Sequence, residues 1–302
     1  MKRAFSLVEL LVVIGIIAVL AGVLLSTFGG GTEAARSAQC LANMKNLANA
    51  CYTYATSSTS HPMFRAQSTE YVEITGNKRS AQRTYYDRPG WVSWDSQGKY
   101  PSSSSMKDGN GIIGMFESNQ EKAKYALTNG CIWTSLARNR NCLVCPAHAK
   151  KAGKASQPHW SYLMNSWFSS GNISKITELE RADRRLLFSE VPFMEWHSWI
   201  PSGSGGSTDT DGVLQYAPSS EEGKEGSNSG SGTETIGANH VSGRKLYAHV
   251  VFADGHTEKL VIPFTGSVKN PKLAIDLKEL TTWLCEGEDV SFDGQKYQQL
   301  DK

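Results

Sequence analysis

The chain has 302 residues, of which 39% are hydrophobic and 20% are charged, and its formal net charge is +2. These proportions are those of an ordinary globular domain, and no basic patch or recognition motif stands out, so nucleic acid is excluded as a predicted partner. About 270 residues follow the first apolar segment, which is enough for one large hydrophobic core.

An apolar segment near the N-terminus is the first predicted element. Lys2 and Arg3 precede it, and it runs from Phe5 to Phe28. As an α-helix its roughly 24 residues reach about 36 Å, which exceeds the hydrocarbon core of a bilayer at about 30 Å. We therefore predict a transmembrane helix over residues 5–28, with the two basic residues on the cytoplasmic side by the positive-inside rule.

One carboxylate, Glu9, lies inside this apolar segment. A charged carboxylate in the hydrocarbon region costs a few kcal/mol even on lenient insertion scales. The residue therefore indicates either a hydrated position close to the membrane interface or a functional partner, and general physical grounds leave both interpretations open.

A basic leader and a short motif surround Glu9. Residues 1–4 are followed by Phe5-Ser-Leu-Val-Glu9 and then by a continuous apolar run. This pattern resembles the class III signal of type IV prepilins and type II secretion pseudopilins. The resemblance implies cleavage between Ala4 and Phe5 by a prepilin peptidase, which also methylates the new Phe5 amine. It implies that Glu9 pairs with the Phe5 amine of a neighbouring subunit, an attraction that is strong in a low-dielectric seam.

The signal departs from the family at one position and leaves two other interpretations. The family usually has Gly before the cleavage site, where this chain has Ala4, a similarly small residue. An ordinary secretory signal would instead be cleaved after Ala21, before Gly22. An unprocessed signal anchor is the third interpretation.

Six cysteines all follow the apolar segment. In an oxidising compartment outside the cytoplasm, this even number predicts a disulfide framework. Two of the six would lie about 16 Å apart on one helix, too far to pair with each other, because a disulfide needs Cα atoms within about 7 Å. That pair is Cys40 and Cys51, and the others are Cys131, Cys142, Cys145 and Cys285.

The segment Cys142-Leu-Val-Cys145-Pro-Ala-His148 has the spacing of several functional sites. A c-type haem site needs His directly after the second Cys, and a zinc site needs a second ligand pair at a matching spacing. A thioredoxin-like site needs a βαβ context that the sequence does not show. We therefore predict a structural disulfide or paired thiols here, with no metal site and no cofactor.

A second helical segment is predicted after the glycines at 29–31, which should loosen the helix because each costs about 1 kcal/mol relative to Ala. Thr32 is the candidate N-cap. From 34 to about 54 the apolar residues recur at spacings of three and four, which predicts a stripe that packs on a sheet. The stripe consists of Cys40, Met44, Leu47, Cys51 and Tyr54, widened by Leu41, Ala48 and Ala55.

The middle of the chain is predicted to hold short elements separated by loops. Alternation and flanking Gly or Pro predict strands at 71–74, 83–86, 91–94 and 186–190. Helices are predicted at 117–127 and, more briefly, at 131–136. The tract 202–235 is rich in Gly and Ser with almost no apolar residue, so we predict a disordered loop.

A hairpin and a helix are predicted near the C-terminus. Strands at 247–253 and 256–262 flank Asp254-Gly255, a pair typical of a two-residue type I′ turn. His249 and His256 could face each other across this hairpin, either as surface residues or as a metal site. Apolar residues at helical spacing predict an amphipathic helix over 271–285.

Two motifs in the body of the chain are similar to a large bacterial pseudopilin-like family with the same N-terminal signal. The first is a Cys-Pro followed by Ser161-Tyr-Leu-Met-Asn165, and the second is His240 followed by Asp254, Gly255 and His256. The family usually has nine residues between the His and the Asp-Gly, whereas this chain has a longer gap. The resemblance therefore assigns no fixed role to His240.

The predicted fold class is α+β and pilin-like, with a long N-terminal helix, membrane-spanning in its first half, packed on an antiparallel β-sheet. The predicted order is a leader peptide at 1–4, the transmembrane helix at 5–28, its extracytoplasmic continuation at 32–56, and a globular pseudopilin-like domain at 57–302. The flexible loop at 202–235 lies within that domain.

The resemblance implies a structural subunit of a type II secretion or type IV pilus-like assembly. Its implied partners are the prepilin peptidase and methylase, other pilin or pseudopilin subunits in a homo- or hetero-oligomeric fibre, and lipid of the inner membrane. The chain would cross that membrane once, with its N-terminus in the cytoplasm and its C-terminal domain in the periplasm or outside the cell.

The sequence leaves one alternative function class and argues against another. A membrane-anchored binding module is the alternative, because the pairs Trp91/Trp94 and Trp196/Trp199 could present aromatic rings to a glycan. An enzyme is not predicted and no catalytic residue is named, because no nucleophile elbow, metal pair or phosphate loop occurs at an interpretable spacing.

Overall fold

The computed structural model describes most of the N-terminal helix and most of the C-terminal half of the chain. The described residues are 7–57, 64, 70–74, 82–86, 90–92, 126–152, 158–169, 175–192, 212–214, 216, 235–267 and 270–300.

A single helix, α1, runs from Leu7 to Thr56. The predicted helix over 34–54 is therefore confirmed, whereas the interruption at the glycines 29–31 and a new start at Thr32 are wrong. Helix propagation adds a hydrogen bond for each residue that it fixes, so flanking turns of good helix formers can carry three glycines. The two halves of α1 form one continuous helix.

The first turns of α1 carry large apolar side chains. Those described from Leu7 to Leu20 are all exposed. Within the part of the chain that the structure describes, no helix is both long enough and apolar enough to cross a membrane. The transmembrane helix at 5–28 stays a prediction.

The main β-sheet has six strands. They are β3 (Tyr162–Asn165), β4 (Leu186–Glu190), β5 (Val213–Leu214), β6 (His240–Ser242), β7 (Lys245–Phe252) and β8 (Thr257–Ile262). One path through the sheet has the order β5-β3-β4-β7-β6, and β8 also pairs with β7. Every pairing is antiparallel except that of β3 with β5, so the predicted antiparallel sheet is confirmed.

Smaller elements surround this sheet. Three two-stranded sheets pair β1 (Glu70–Ile74) with β2 (Gln82–Tyr86), β9 (Phe264–Ser267) with β10 (Asn270–Leu273), and β11 (Val290–Phe292) with β12 (Tyr297–Gln299). Among the described residues, the two longest helices after α1 are α2 (Pro146–Ala152) and α3 (Leu277–Glu286).

Several sequence predictions for these elements are confirmed and others are corrected. The strands at 71–74, 83–86 and 186–190 are present. Trp91 and Val92 lie in a bend rather than a strand, and 93–94 lie outside the described residues, as do 117–125. The segment Cys131–Leu136 forms turns rather than a helix.

The predicted helix over 271–285 begins later than expected. Residues Asn270–Leu273 form β10, and α3 starts only after Asp276, whose side chain accepts hydrogen bonds from the Lys278 and Glu279 amides. This capping carboxylate is the stronger start signal, because it satisfies amides that the helix itself leaves unpaired. The helix ends at Gly287, which has a left-handed φ of 71°.

The predicted loop 202–235 contains a short strand. Val213 and Leu214 form β5, are buried, and pair in parallel with β3. The few apolar residues of a polar tract thus complete the edge of the sheet. Most of the remaining tract lies outside the described residues, so its disorder stays a prediction.

Alternate residues of β7 face opposite layers, as the two-residue period of a strand requires. Leu246, Ala248, Val250 and Phe252 pack in the core that α3 covers. Val251 packs in a second core that includes the buried stripe of α1. The sheet is therefore covered by α1 on one face and by α3 on the other.

The predicted hairpin of β7 and β8 is confirmed, but its turn is longer than predicted. Phe252 N donates to His256 O and Gly255 N donates to Phe252 O, so three residues form the loop. Gly255 has a φ of 87°, while Asp254 does not have a positive φ. A type I turn followed by a left-handed glycine fits this pattern and replaces the predicted type I′ turn.

Asn165 joins the end of β3 to two other elements. Its side-chain amide donates to Leu186 O at 2.9 Å and to Cys285 O at 3.0 Å, and its oxygen accepts from Trp167 N at 3.0 Å. The side chain is fully buried. Removing it takes one hydrogen bond from each of these backbone groups, of which the Cys285 carbonyl also accepts from Arg185.

We expect Asn165→Ala to lower the free energy of unfolding by about 2–3 kcal/mol, because three hydrogen bonds are lost and each contributes about 1 kcal/mol. Denaturant titration of the full-length chain, followed by tryptophan fluorescence, measures the change. Asn46→Ala on the exposed side of α1 is the matched control and should change stability by less than about 0.5 kcal/mol. Equal effects of the two substitutions would contradict the stabilising role of the Asn165 hydrogen bonds.

Candidate functional site

The residues of the predicted N-terminal signal are placed only in part. Ala4 and Phe5 lie outside the described residues, and Glu9 lies in the first turn of α1. Cleavage, methylation and the pairing of Glu9 therefore stay predictions.

A buried polar cluster lies where α1 meets the main sheet. We call it the junction cluster and define it by five side chains that are at most 1% exposed: Cys40, Cys145, Glu190, His240 and His249. They come from α1, the segment before α2, and the strands β4, β6 and β7. Five separate parts of the chain thus meet at one point.

The local structure of β4 turns Glu190 towards α1. The pairing of β4 with β7 shifts between Leu186 and Phe188, which is the mark of a β-bulge. Phe188 packs in the core that includes α1. Glu190, two residues later, lies on the same face and contacts Cys40 of α1.

Glu190 is the centre of the hydrogen bonding. Its Oε1 accepts from the Cys40 thiol at 3.2 Å and from His240 Nε2 at 3.0 Å. Its Oε2 accepts from the backbone amide of His249 at 3.2 Å. Three donors from three elements therefore converge on one buried carboxylate.

His240 is held on both of its ring nitrogens. While Nε2 contacts Glu190, Nδ1 lies 3.1 Å from Oε1 of Glu33, about two turns before Cys40 on α1. The Cys145 Sγ also lies 3.4 Å from His240 Nε2. His240, at the start of β6, thus joins α1 to the sheet.

His249 stacks against His240, with ring centroids 4.0 Å apart. Its Nε2 lies 2.9 Å from the Ser37 hydroxyl. Its Nδ1 is 3.8 Å from Glu190 Oε2. Among the described residues, this buried Nδ1 atom has no hydrogen-bond partner.

The charges of the cluster follow from this geometry. Burial alone would raise the pKa of Glu190, but the charge and hydrogen bond of His240 lower it to about 2. Burial opposes protonation of His240, but Glu190 and its other partners raise its pKa to about 11. Burial lowers the pKa of His249 to about 4, against the attraction of Glu190. At neutral pH the cluster therefore holds one buried ion pair and a neutral His249.

The cysteines do not form the predicted disulfide framework. All six lie within the described residues, and no disulfide joins any of them. Cys40 donates to Glu190, and Cys142 donates to the Asn139 carbonyl. Cys40 and Cys145 belong to the junction cluster. Burial raises the pKa of the Cys40 thiol well above its usual range.

The turn of the hairpin signature contacts α1 as well. Lys45 donates to the Gly255 carbonyl, and Tyr52 donates to the Ala253 carbonyl. His256 is partly exposed and contacts the Asp254 carboxylate at 2.6 Å. Both ends of the His240 to Asp254-Gly255 signature thus lie against the helix.

The proposed facing of His249 and His256 is wrong. His249 is buried and pairs with Lys259 across the hairpin, whereas His256 lies at the turn. Among the aromatic pairs, Trp91 is 1% exposed and so presents no ring to a glycan. Its partner Trp94, and the pair Trp196/Trp199, lie outside the described residues.

Sequence reasoning named four members of the junction cluster but missed their association and missed Glu190. Cys40 was named as a disulfide candidate and as part of the apolar stripe, and Cys145 as a disulfide candidate. His249 was named only as a partner of His256 across the hairpin. Glu190 ends an apolar strand, Leu186-Leu-Phe-Ser-Glu190. A charged residue at the end of a buried strand needs a partner, and that was the available signal.

Comparison with known proteins gives a match for the N-terminal segment. Residues 1–25 match the family model described as the prokaryotic N-terminal methylation motif. No curated protein and no solved structure matches the chain. Residues 1–25 therefore carry a prepilin-type signal.

Proposed function

We propose that this chain is a pilin or pseudopilin subunit of a type II secretion or type IV pilus-like assembly. A prepilin peptidase cleaves it between Ala4 and Phe5 and methylates the new amine. The match of residues 1–25 to the N-terminal methylation motif carries the proposal.

The form of α1 supports this function. Its first turns expose large apolar side chains from Leu7 to Leu20, which need lipid or neighbouring helices to cover them. Its last turns bury their stripe on the sheet. The exposed N-terminal half of α1 can therefore contact lipid or other subunits. Its C-terminal half packs on the sheet of the globular domain.

Glu9 is the residue that joins neighbouring subunits in the proposed assembly. It lies near the start of the apolar end of α1 and pairs with the methylated Phe5 amine of the next subunit, so that neither charge stays alone in a low-dielectric seam. The helix over 5–28 anchors the subunit in the inner membrane before assembly. The globular domain then lies on the periplasmic or extracellular side.

Mass spectrometry of the mature N-terminus tests the proposal. In cells that have a prepilin peptidase, we expect chain isolated from membranes to begin at N-methylated Phe5. Ala4→Leu puts a large residue at the cleavage site, so most of the chain should keep Met1. An unmodified chain that begins at Met1, or one that begins near Gly22, would contradict the proposal.

The matched control makes the same change at the alternative signal site. Ala21→Leu should leave the start at Phe5 unchanged, because Ala21 lies within the helix of the mature chain. If Ala21→Leu blocks processing and Ala4→Leu does not, the segment is an ordinary secretory signal.

A further inference from the structure

We propose that the junction cluster binds one divalent metal ion of the zinc class. The ligands are Cys40 Sγ, one oxygen of Glu190, His240 Nε2 and His249 Nδ1. These four residues are buried, and each offers a ligand atom within 4.8 Å of the others. The site goes beyond the proposed fibre function and rests on different residues.

Three separations, two from Glu190 Oε1 and one from Glu190 Oε2, lie near those of tetrahedral coordination. Zinc lies about 2.0–2.3 Å from N, O and S ligands, which places the corners of a tetrahedron about 3.3–3.8 Å apart. Glu190 Oε1 lies 3.0 Å from His240 Nε2 and 3.2 Å from Cys40 Sγ. Glu190 Oε2 lies 3.8 Å from His249 Nδ1. The other separations among the four ligand atoms are at most 4.8 Å, so the side chains would move closer together to bind one ion.

Each histidine is oriented as a metal ligand usually is, with its second nitrogen bonded away from the site. His240 uses Nδ1 to contact Glu33, so that Nε2 points to Glu190. His249 uses Nε2 to contact Ser37. Its Nδ1 is buried and, within the described part of the chain, has no hydrogen-bond partner. A metal ion would satisfy that atom.

The charge and softness of the ligands select the ion. One thiolate from Cys40 and one carboxylate from Glu190 balance a divalent cation, so the fully buried site carries no net charge. Sulfur and imidazole ligands suit zinc and related transition metals, whereas calcium and magnesium prefer oxygen. Binding releases the thiol proton of Cys40 and the ring proton that His240 carries in the ion pair.

The ligands belong to four elements. Cys40 lies on α1, Glu190 on β4, His240 on β6 and His249 on β7. An ion held by all four would fix the helix to the sheet, and its binding free energy would add to the stability of the fold. Cys145 borders the site and is not one of the four ligands.

Cobalt substitution of the purified full-length chain tests the site. We expect one Co²⁺ per chain, with a thiolate-to-metal charge-transfer band and the intense visible bands of tetrahedral cobalt. Zn²⁺ should displace the cobalt, and a chelator should lower the thermal unfolding midpoint. Cys40→Ser should abolish the charge-transfer band, and His249→Gln should weaken binding by at least about 100-fold.

Three further variants make the test specific. Cys285→Ser removes another buried thiol and His256→Gln removes a histidine beside carboxylates, yet both should bind Co²⁺ like the parent chain. Glu33→Gln changes the residue that orients His240, and it should weaken binding by about 10–100-fold. Because Glu33 is partly exposed, this variant tests the site even where a buried substitution prevents folding.

Two results would overturn the proposal. One is a folded parent chain that binds no Co²⁺ or Zn²⁺ at stoichiometric concentrations. The other is binding that persists unchanged in Cys40→Ser, His249→Gln and Glu33→Gln. Neither result depends on cleavage at Ala4 or on fibre assembly, so both are independent of the proposed function.

Discussion

Replacing Glu190 with Gln is expected to lower the free energy of unfolding of the metal-free chain by about 3–5 kcal/mol. Glu190 is fully buried and accepts hydrogen bonds from the Cys40 thiol, from His240 and from the backbone amide of His249. Gln has one acceptor oxygen, and its NH₂ group would face a donor. The charge of His240 would also lose its main counter-ion, which is the costly way to break a buried pair.

The measurement is denaturant titration of the full-length chain in a mild detergent with a chelator present. Glu258→Gln is the matched control, because Glu258 lies on the neighbouring strand β8 with its side chain 50% exposed. The control should lose less than about 0.5 kcal/mol. If Glu190→Gln loses no more than the control, Glu190 does not hold the junction cluster together.

Replacing Trp91 with Ala should also lower the free energy of unfolding by about 3–5 kcal/mol. The ring is 1% exposed and packs edge-on against Phe188 with centroids 5.1 Å apart. Its Nε1 donates to the Gly212 carbonyl at 2.7 Å. The substitution therefore leaves a large cavity and removes one of the two hydrogen bonds that the Gly212 carbonyl accepts, the other coming from the Met164 amide.

The same titration measures this loss, and Trp283→Ala is the matched control. Trp283 is only partly buried on α3, so its removal should cost about 1 kcal/mol. Trp91→Phe keeps most of the packing and loses only the donor, and we expect an intermediate loss of about 1–2 kcal/mol. A loss from Trp91→Ala no larger than that from Trp283→Ala would contradict the central packing of Trp91.

The backbone at residue 91 is constrained as well. The Cys131 amide donates to the Gly90 carbonyl at 2.8 Å. A Cβ added to Gly130 would lie 1.9 Å from the Trp91 carbonyl oxygen, so only Gly fits at that approach. Trp91 thus connects the turns at 130–131 to Gly212, the residue before β5.

Local patterns predicted much of the fold. The stripe of Cys40, Met44 and Leu47 recurs at helical spacing and packs in the core. The Asp-Gly pair predicted the hairpin of β7 and β8. These features depend on residues close in sequence, where period and turn chemistry act directly.

The turn type and the start of α3 were mispredicted because the local pattern in each segment fits more than one structure. Asp254-Gly255 is compatible with more than one hairpin loop, and the contacts of the loop with Lys45 and Tyr52 arise only in the folded chain. At 270–276 the helical spacing of leucines extended the predicted helix across a strand. The capping residue Asp276 was the more informative signal.

The junction cluster could not be predicted from spacing. Cys40 and Glu190 are separated by 150 positions, and their contact depends on how α1 packs on the sheet. A register change of one residue in β7 would move His249 to the other face of the sheet. The residue types were visible in the sequence, but their meeting point is a property of the tertiary fold.

Because α1 continues through its three glycines, it fixes both the distance and the rotation of the globular domain relative to the N-terminal end of the helix. Because the helix turns by about 100° and rises about 1.5 Å per residue, one residue inserted between Glu9 and Cys40 would rotate the globular domain by about 100° around the axis of α1. Seven inserted residues would restore the azimuth to within about 20° and raise the domain by about 10 Å. In an assembled fibre, the length of this helix would therefore set which neighbour each domain meets.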